Sequence, residues 1–564
     1  MSDGTADQPP RAGDQPAQVG RVEGIARSSV VMAAGTLTSR VLGLFRTTLL
    51  ASIVGLTGYT GDAFGVANTL PNQFYLILAG GVFNAVLVPQ IVKASTHADG
   101  GRDYVNRLLT LGITLLVVAT TATTLAAGPL VRLFARFDDP DALTLATVFA
   151  YVCLPQIFFY GLYTLLGQVL NAHGRFAAYM WAPVVANIVS LAGLGAFLVL
   201  GFEREAPPSQ WSPAMVAVLA GSATLSIVLQ ALFLVIPLKR MGFRYRPVWG
   251  FRGVGLGTAS QVAKWSFAAV LVAQLGFVVT SRVLTETTTA ASLAGVVAPG
   301  RNAYDNAFLL FMLPHSLVTV SLATALFTRM SGAVHEGRTD DLRADLLRGL
   351  RAPAVLLVPG SIFGVVFGPV LTRAFFFRSS AADTDAVASV MVALFVGIIP
   401  FGWLYLSERF FFAHSDARTP FFIQTLVTAL AVTSALVASR FDLGVVAPAL
   451  ALGQSLAYAV GAAVGFTLVR RRLGRIGLRP VASAYLRLGV PALAAAIAGL
   501  AAMHATLGDP VTRGPLVCIV LTVAAGVLVL GAALIGGRLL GVSEVHDLTS
   551  RVSRLLRRRL RRTA

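Results

Sequence analysis

Long apolar runs alternate with short polar segments along almost the whole chain of 564 residues. Because a helix needs about 20 apolar residues to cross the hydrocarbon of a bilayer, a window of that size marks candidate transmembrane spans. The pattern predicts an all-α integral membrane protein with about 14 transmembrane helices. The fourteen predicted spans cover residues 30–54, 64–92, 105–127, 142–170, 177–200, 214–236, 260–283, 303–327, 351–371, 386–412, 420–438, 445–469, 485–505 and 516–540.

Two stretches of sequence recur at nearly the same spacing. Ala-His stands at 172–173, after the fourth span, and again at 413–414, after the tenth, 241 residues later. The second span from Asn72 likewise resembles the eighth from Asn306, 234 residues later. Because duplicated halves are a common build of secondary transporters, we expect two pseudo-symmetric six-helix lobes plus two C-terminal helices. The expected limits are 29–240 for the N-lobe, 241–472 for the C-lobe and 473–541 for spans 13 and 14.

Charged residues lie mainly in the loops between the spans, and their distribution distinguishes the two sides of the membrane. The net charge is +19, but the cations fall between apolar runs instead of on one water-exposed domain, which argues against nucleic acid as a partner. The loops after even-numbered spans carry most of the Lys and Arg, so we expect both termini in the cytoplasm. Residues 1–28, rich in Gly, Pro, Asp and Gln, predict a disordered cytoplasmic tail. Residues 542–564 predict a basic cytoplasmic tail suited to anionic headgroups.

The first span contains two permanent cations, Arg40 and Arg46, in the run GTLTSRVLGLFRTTLLASIVG. At 100° per residue, both arginines and Ser39 fall within an arc of about 120°. An arginine at the bilayer centre costs at least about 2.5 kcal/mol, so this face is expected to border protein or a water-filled cavity. Snorkelling of one arginine to a headgroup is the alternative.

The second span offers a matching polar face. Asn68 and Asn72 are four residues apart and therefore share one side of the helix. Interhelical hydrogen bonding is as good an interpretation of these asparagines as ligand contact. Asp62 stands just before the span, where it is either an N-terminal cap or a first-turn charge of its own helix, or a group that opposes Arg40 or Arg46.

The usual chemistry of enzymes is missing from the sequence. We find no phosphate-binding loop, no metal-ligand spacing and no nucleophile motif, and Cys153 and Cys518 lie in separate apolar runs. Active transport would therefore draw on an ion gradient or the membrane potential, with no cofactor expected. Two arginines among hydroxyl and amide donors suit an anionic substrate, and a diphosphate matches the planar fork of Arg better than the point charge of Lys.

The stretches GTLTSRVLGLFR, GDAFGVANTLPN and LVPQIVKA together resemble the N-terminal signature of the MviN/MurJ family of lipid II flippases, part of the multidrug/oligosaccharidyl-lipid/polysaccharide exporter superfamily. The likeness continues through LNAHGRFAAYMWAP and FFAHSDARTPF to the twelfth span. It implies a central cationic cavity walled by spans 1, 2, 7 and 8, and a groove beside spans 13 and 14 for a polyprenyl tail. By residue match, it implies that the cavity groups are Ser39, Arg40, Arg46, Asp62 and Asn72.

The resemblance implies a flippase that moves an undecaprenyl-diphosphate-linked peptidoglycan precursor from the inner to the outer leaflet of a bacterial plasma membrane by alternating access. Arginines found in many members are replaced here by Tyr75 and Leu309. Two alternatives therefore stay open: an exporter of another polyprenyl-linked saccharide, amphiphile or drug, and a non-transporting scaffold in cell-wall assembly. The expected partners are the lipid-linked diphosphate, membrane lipids and cell-wall synthesis proteins.

Overall fold

The computed structural model describes residues 15–80, 102–250, 261–474 and 476–550, and every regular element in these ranges is a helix. The first half of the chain forms nine helices within the described ranges. Their limits are α1 Gln15–Val54, α2 Tyr59–Leu78, α3 Arg102–Leu125, α4 Ala127–Phe134, α5 Pro140–Cys153, α6 Gln156–Ala172, α7 Phe176–Val199, α8 Pro213–Phe233 and α9 Val235–Arg240.

The second half begins with α10, and a π-helical segment, His315–Val320, joins its second helix to its third. The limits are α10 Gln261–Leu293, α11 Arg301–Pro314, α12 Ser321–His335, α13 Thr339–Val366, α14 Gly368–Phe375, α15 Ala381–Phe395, α16 Ile398–Ala413, α17 Arg418–Ala438, α18 Leu443–Leu473, α19 Arg479–Leu507 and α20 Pro515–Leu539. We call the end of the bundle where α1 begins the proximal end, and the end where α1 finishes at Val54 the distal end.

The helices agree closely with the predicted spans. In the described ranges, twelve helices are long and apolar enough to cross a membrane, and the pair α15–α16, bent by 48°, makes a thirteenth. The remaining predicted span, 64–92, is described only to residue 80. The predicted count of fourteen is therefore not confirmed, although each of the other thirteen predicted spans overlaps one of these helices.

Only part of the two predicted tails lies within the described residues. Residues 1–14 and 551–564 lie outside the described residues, so the disordered and basic tails predicted there stay predictions. The segment from Gln15 to residue 28, which we predicted to be disordered, is helical and continuous with the first span. The physical reason is that extending an existing helix fixes one residue for each hydrogen bond gained, whereas starting a new helix is costly.

The repeat seen in the sequence has a structural counterpart. His173 ends α6 and His414 ends α16, and in each case the ring Nδ1 lies 2.8 or 2.9 Å from the carbonyl oxygen four residues earlier. The following residues, Gly174 and Ser415, both have a left-handed backbone with φ of 71° and 57°. Spans 4 and 10 are also both interrupted, between α5 and α6 and between α15 and α16. The two halves therefore share a helix break and a helix ending at matching places.

Each half has an apolar core, and the core of the second half also takes in Ala51 and Leu56 at the distal end of the first. In the first half, Phe149 meets Phe64 and Trp211 edge to face, with ring centroids 5.4 and 5.2 Å apart. In the second half, Phe311 of α11 contacts Phe395 of α15 at 6.2 Å. Helices α19 and α20 pack against each other and against α13 and α14. Because lipid tails are as apolar as leucine, close packing and polar contacts hold such helices together more than burial of apolar surface does.

Small residues allow the last two helices of each lobe to approach closely. A Cβ atom added to Gly193 of α7 would lie 2.1 Å from the Ser222 Cβ of α8. A Cβ added to Gly453 of α18 would lie 2.3 Å from the Ser434 Cβ of α17. The same Gly-to-Ser contact thus joins α7 to α8 and α17 to α18.

This packing predicts that Gly193→Leu lowers the midpoint of thermal unfolding in detergent, because overfilling a tight contact costs about 1–3 kcal/mol. The matched control is Gly195→Leu, since a Cβ at Gly195 has no atom within 4 Å. Fluorescence-detected size-exclusion chromatography after heating measures both variants. Equal midpoints for the two variants would contradict the close packing of α7 on α8.

Candidate functional site at the lobe interface

The lobes are joined at the distal end by one buried carboxylate, Asp62 in the first turn of α2. Its oxygens accept hydrogen bonds from the Thr288 hydroxyl at 2.6 Å and from the backbone N–H groups of Arg301 at 3.1 Å and Asn302 at 2.6 Å. Both backbone groups belong to the first turn of α11, whose N–H groups have no partner within the helix. Asp62 therefore caps a helix of the opposite lobe.

The structure confirms Asp62 as a charge in the first turn of α2, but it corrects the other two interpretations from the sequence. In the described contacts it neither caps α2 nor opposes Arg40 or Arg46. The physical reason is that α2 and α11 both begin at the distal end. Their positive helix ends therefore lie side by side, and a carboxylate on one helix can serve the dipole of the other.

Further contacts close the distal end around Asp62. The Asn302 side chain donates to the carbonyl of Gly55 at 2.6 Å, and a Cβ on Gly61 would lie 2.7 Å from the same amide nitrogen. The Thr57 hydroxyl donates to the carboxylate of Asp383 at 2.5 Å. Loops from both lobes therefore form a tight distal seal.

Towards the proximal end the lobes meet through weaker contacts. Arg40 Nη1 donates to the Ser316 hydroxyl at 2.8 Å, and the Gln274 side chain donates to Gln73 Oε1 at 3.0 Å. Ser316 lies in the π-helical segment that follows Pro314, and π-helical turns are frequent at functional sites. Arg40 is half-buried, and the partner of its Nη1 is a neutral hydroxyl, so its positive charge is available to a ligand between the lobes.

Arg46 lies in a different place, inside the N-lobe. It lines an enclosed cavity of about 90 Å³ together with Asn68, Gln156 and Tyr160. The Gln156 side chain donates to Asn68 Oδ1 at 3.4 Å and to Thr224 Oγ1 at 3.0 Å. Among the described residues, no acidic side chain forms an ion pair with Arg46. The two arginines of span 1 thus border separate polar spaces.

The other predicted site residues divide in the same way. Asn187 of α7 donates to both the backbone carbonyl of Ser39 at 2.8 Å and its hydroxyl at 3.2 Å, so Ser39 joins two helices within the N-lobe. Asn72 is exposed, one residue before the interlobe contact of Gln73. The structure brings Arg46 and Asn68 together, places Arg40 at the lobe interface, leaves Asn72 exposed, and holds Ser39 and Asp62 in structural contacts.

Tyr75 and Leu309, which stand where many family members have arginines, both pack against neighbouring side chains. The Tyr75 hydroxyl lies 2.6 Å from the Thr164 hydroxyl, and its ring stands 5.8 Å from that of Tyr160. Leu309 packs against the apolar core of the second half. Both side chains are therefore part of the packing of their own lobes.

The C-lobe contains a larger charged cavity, which the sequence reasoning missed as a site. It has a volume of about 460 Å³ and is lined by α10, α11, α16, α17 and α18. Arg301 Nε donates to Asp305 at 2.9 Å, and the guanidinium stands 4.4 Å above the Phe277 ring. Glu408 of α16 also lines the cavity. The sequence did contain a signal for this site. Glu408 is an ionisable residue within an apolar span, and such a residue is a functional-site candidate by default.

Two helical lobes, each with an internal polar cavity and joined by polar contacts within the membrane-spanning region, define a secondary transporter. The chain belongs to the lipid II flippase MurJ family, which it matches over residues 50–518. It is therefore a membrane transporter and not an enzyme. The chain is 28% identical over 491 residues to the lipid II flippase MurJ of Burkholderia cenocepacia, covering 85% of this chain and 89% of that one. A protein named probable lipid II flippase MurJ from Vibrio cholerae is 26% identical over 410 residues, covering 70% of this chain and 74% of that one.

Solved structures show the same fold. The structure of lipid II flippase MurJ in an inward closed conformation aligns with a TM-score of 0.65 at 16% identity, covering 88% of this chain and 98% of that one. An inward-facing multidrug resistance MATE family transporter of the MOP superfamily aligns with a TM-score of 0.57 at 18% identity, covering 79% of this chain and 98% of that one. The fold is therefore that of the wider exporter superfamily named from the sequence.

The distal seal predicts a measurable effect of Asp62→Ala. Removing the carboxylate leaves two N–H groups and one hydroxyl without their acceptor, which costs about 1–3 kcal/mol for each buried group. In protein whose native cysteines, Cys153 and Cys518, are replaced by Ala, cysteines introduced at Thr57 and Asp383 should crosslink readily on mild oxidation. The Asp62→Ala change should reduce that crosslinking strongly.

Asp139 provides the matched control for this experiment. Its carboxylate also caps a helix, accepting from the N–H groups of Asp141 at 2.8 Å and Ala142 at 3.4 Å, but it does so within the N-lobe. Asp139→Ala should leave the crosslinking unchanged. Equal crosslinking in the Asp62→Ala protein and its parent would show that Asp62 does not hold the lobes together.

Proposed function

We propose that the chain moves lipid II, an undecaprenyl-diphosphate-linked peptidoglycan precursor, from the inner to the outer leaflet of the bacterial membrane for cell-wall synthesis. Membership in the flippase family and the names of its relatives support the substrate. The N-lobe of residues 29–240 and the C-lobe of residues 241–472 rock against each other, so that the space between them opens first to one side and then to the other. The polar contacts between the lobes concentrate at the distal end, around Asp62 and Arg136, which leaves the rest of the interface free to part and supports this motion.

The observation that carries the proposal is the position of Arg40. It lies about 14 residues from the distal end of α1, or roughly 21 Å along the helix axis, and its Nη1 contacts the opposite lobe through the Ser316 hydroxyl. A diphosphate that enters between the lobes replaces this neutral hydroxyl with a charged acceptor. A phosphate can accept two parallel N–H···O bonds from one guanidinium, which the single hydroxyl of Ser316 cannot do.

Arg46 acts from inside the N-lobe. Its cavity of about 90 Å³ is too small for the disaccharide and peptide of the precursor. At an effective dielectric constant near 20, a unit charge about 9 Å from a phosphate contributes roughly 2 kcal/mol. Arg46 therefore adds positive potential to the site of Arg40 without contact. Asn72, exposed beside the interface, contributes an amide to the same space.

The energy for transport comes from an ion gradient or the membrane potential. Glu408 and Asp305 both line the C-lobe cavity, where Asp305 pairs with Arg301 and Glu408 adjoins Arg409 in the chain. Carboxylates within a membrane-spanning region suit a proton or a small cation. The polyprenyl tail stays in lipid along α19 and α20, which expose large apolar side chains such as Leu486 and Val520.

Family membership favours the flippase over the two alternatives left open by the sequence. Tyr75 and Leu309 pack within their own lobes, so this chain has fewer cations between the lobes than family members with arginines at those two positions. Arg40 remains at the interface. A scaffold without a transport path would have no use for Arg40 at the interface or for Arg46 inside the N-lobe, which pairs with no acidic side chain in the described part of the chain.

Replacing Arg40 by Ala is expected to abolish lipid II translocation in reconstituted vesicles, because the diphosphate loses its direct cation. Arg46→Ala should slow translocation by about 30-fold, the equivalent of the roughly 2 kcal/mol given above. Arg46→Lys should restore most of the rate, since it keeps the charge that acts at a distance. Membrane insertion should be intact in every variant, because removing a cation makes the span easier to insert.

Two further variants separate substrate binding from closure of the lobes. Arg40→Gln keeps hydrogen-bond donors for Ser316 but removes the charge, so it should be as inactive as Arg40→Ala. Ser316→Ala removes the interlobe partner but leaves the cation, so it should remain active. Arg440, exposed at the end of α17, is the control cation, and Arg440→Ala should change nothing. Normal translocation by Arg40→Ala would overturn the proposed site.

The proposed orientation puts both termini, and hence the proximal end, in the cytoplasm. The arginine-rich segments after spans 6 and 12 lie at that end, which the positive-inside rule assigns to the cytoplasm. An alkaline phosphatase reporter fused after Ala564 should therefore be inactive, and the same reporter inserted after Glu203, at the distal end, should be active. The reverse pattern would contradict the orientation.

A further inference from the structure

The outer surface of the C-lobe carries an apolar groove, independent of the lobe interface. The groove lies between α16 and α18 and has a volume of about 420 Å³. Pro400 and Trp403 form one wall, Ala459, Ala463 and Phe466 form the other, and Arg470 stands at its proximal end. Apart from Arg470 and a threonine hydroxyl, the side chains that line the groove are mainly apolar.

The groove is a surface depression beside the line along which α16 and α18 pack. The helices touch where a Cβ on Gly397 would lie 2.5 Å from the Ser455 hydroxyl, and again nearer the proximal end, where a Cβ on Gly465 would lie 2.5 Å from the Ser407 hydroxyl. On the outer side of this contact line, the short side chains of Ala459 and Ala463 lie beside the larger Trp403 and leave an elongated depression at the surface.

A second cavity continues the groove at the end of α18. It has a volume of about 340 Å³, shares Thr467 and Arg470 with the groove, and adds Arg471 and Gly474. Arg470 and Arg471 are exposed, and neither forms an ion pair with any described residue. The apolar groove thus leads into a second cavity lined by two exposed arginines.

The neighbouring Arg472 shows by contrast that these two arginines are free. Arg472 lies 2.9 Å from Asp416 and stacks at 5.7 Å over the Phe411 ring. Burial raises the pKa of the Asp416 carboxyl, but hydrogen bonds from Thr419 and the charge of Arg472 outweigh this and lower the pKa. Asp416 is thus held as a carboxylate for Arg472, and the charges of Arg470 and Arg471 remain available.

The dimensions fit one lipid of one leaflet. Ala459 and Arg470 are eleven residues apart, which is about 16 Å along the helix axis, or about half of the hydrocarbon thickness. A lipid whose acyl chain lies along the groove therefore places its phosphate at the level of Arg470 and Arg471. Basic pockets between transmembrane helices on the cytoplasmic side are known to bind anionic headgroups.

We propose that this groove is a binding site for an anionic phospholipid, with one acyl chain between α16 and α18 and the phosphate held by Arg470 and Arg471. The lipid fills a gap beside Trp403, whose indole N–H donates to the Tyr485 hydroxyl at 2.7 Å. Tyr485 in turn donates to the Leu350 carbonyl at 3.0 Å. An occupied groove therefore braces the contact of α16 with α19 and α13.

The test uses the full-length protein, stripped of lipid in detergent and titrated with phosphatidylglycerol. Bound lipid is counted by native mass spectrometry, and the thermal unfolding midpoint is followed in parallel. Phosphatidylglycerol should bind and raise the midpoint more than phosphatidylcholine does. The double variant Arg470→Gln with Arg471→Gln should bind phosphatidylglycerol roughly tenfold or more weakly, since each cation near an anionic lipid contributes to affinity.

Two controls keep the result specific. Arg244→Gln with Arg246→Gln removes the same charge from exposed positions at the proximal end of the N-lobe and should not change binding. Ala463→Phe fills the groove but keeps both arginines, so it should also weaken phosphatidylglycerol binding. Equal effects of phosphatidylcholine and phosphatidylglycerol would show nonspecific surrounding lipid and overturn the proposal. Binding of inorganic phosphate with no effect of Ala463→Phe would assign a phosphate site instead.

Discussion

The buried carboxylate of Asp62 is the interaction on which the arrangement of the two lobes depends. It accepts three hydrogen bonds from the opposite lobe, two of them from the otherwise unpaired N-terminus of α11. A carboxylate at a helix N-terminus in a partly buried setting contributes up to about 2 kcal/mol, and a buried carboxylate without partners would be far more costly. The close approach of Gly61 to Asn302 is possible only while this contact holds the lobes together.

The interface is stronger at the distal end than at the proximal end. Distal contacts include two charged acceptors, Asp62 and Asp383, whereas proximal contacts join Arg40 to a hydroxyl and Gln73 to Gln274. The neutral bond between the two glutamines contributes only about 0.5–1.5 kcal/mol, and Arg40 meets a neutral acceptor, whereas the distal end has buried carboxylate acceptors. Without substrate, the proximal end is therefore the easier one to open. Such an asymmetry suits a transporter that must first receive its substrate from the proximal side.

Hydropathy predicted the fold well because membrane insertion depends on the same quantity, the length and apolar character of each segment. The candidate site was harder to predict. The sequence identifies a polar arc of about 120° on α1, but an arc of that width can face two different parts of the protein. In the structure, Arg40 faces the opposite lobe and Arg46 faces the interior of the N-lobe. Asp62 could not be placed because its partner, the start of α11, is distant in sequence. Glu408 lies next to Arg409 in an apolar span and could have been found as an ionisable residue of that span.

The central claim is that the lobes part at the distal end during transport, and a distance measurement between them tests it most directly. Spin labels at Glu203 and Arg378 occupy exposed loops at the distal end, one from each half of the chain. Pulsed electron paramagnetic resonance on protein in lipid nanodiscs measures the distance between them. The account predicts one short distance without substrate and an additional longer distance when lipid II is added. A single short distance under both conditions would contradict alternating access through this interface.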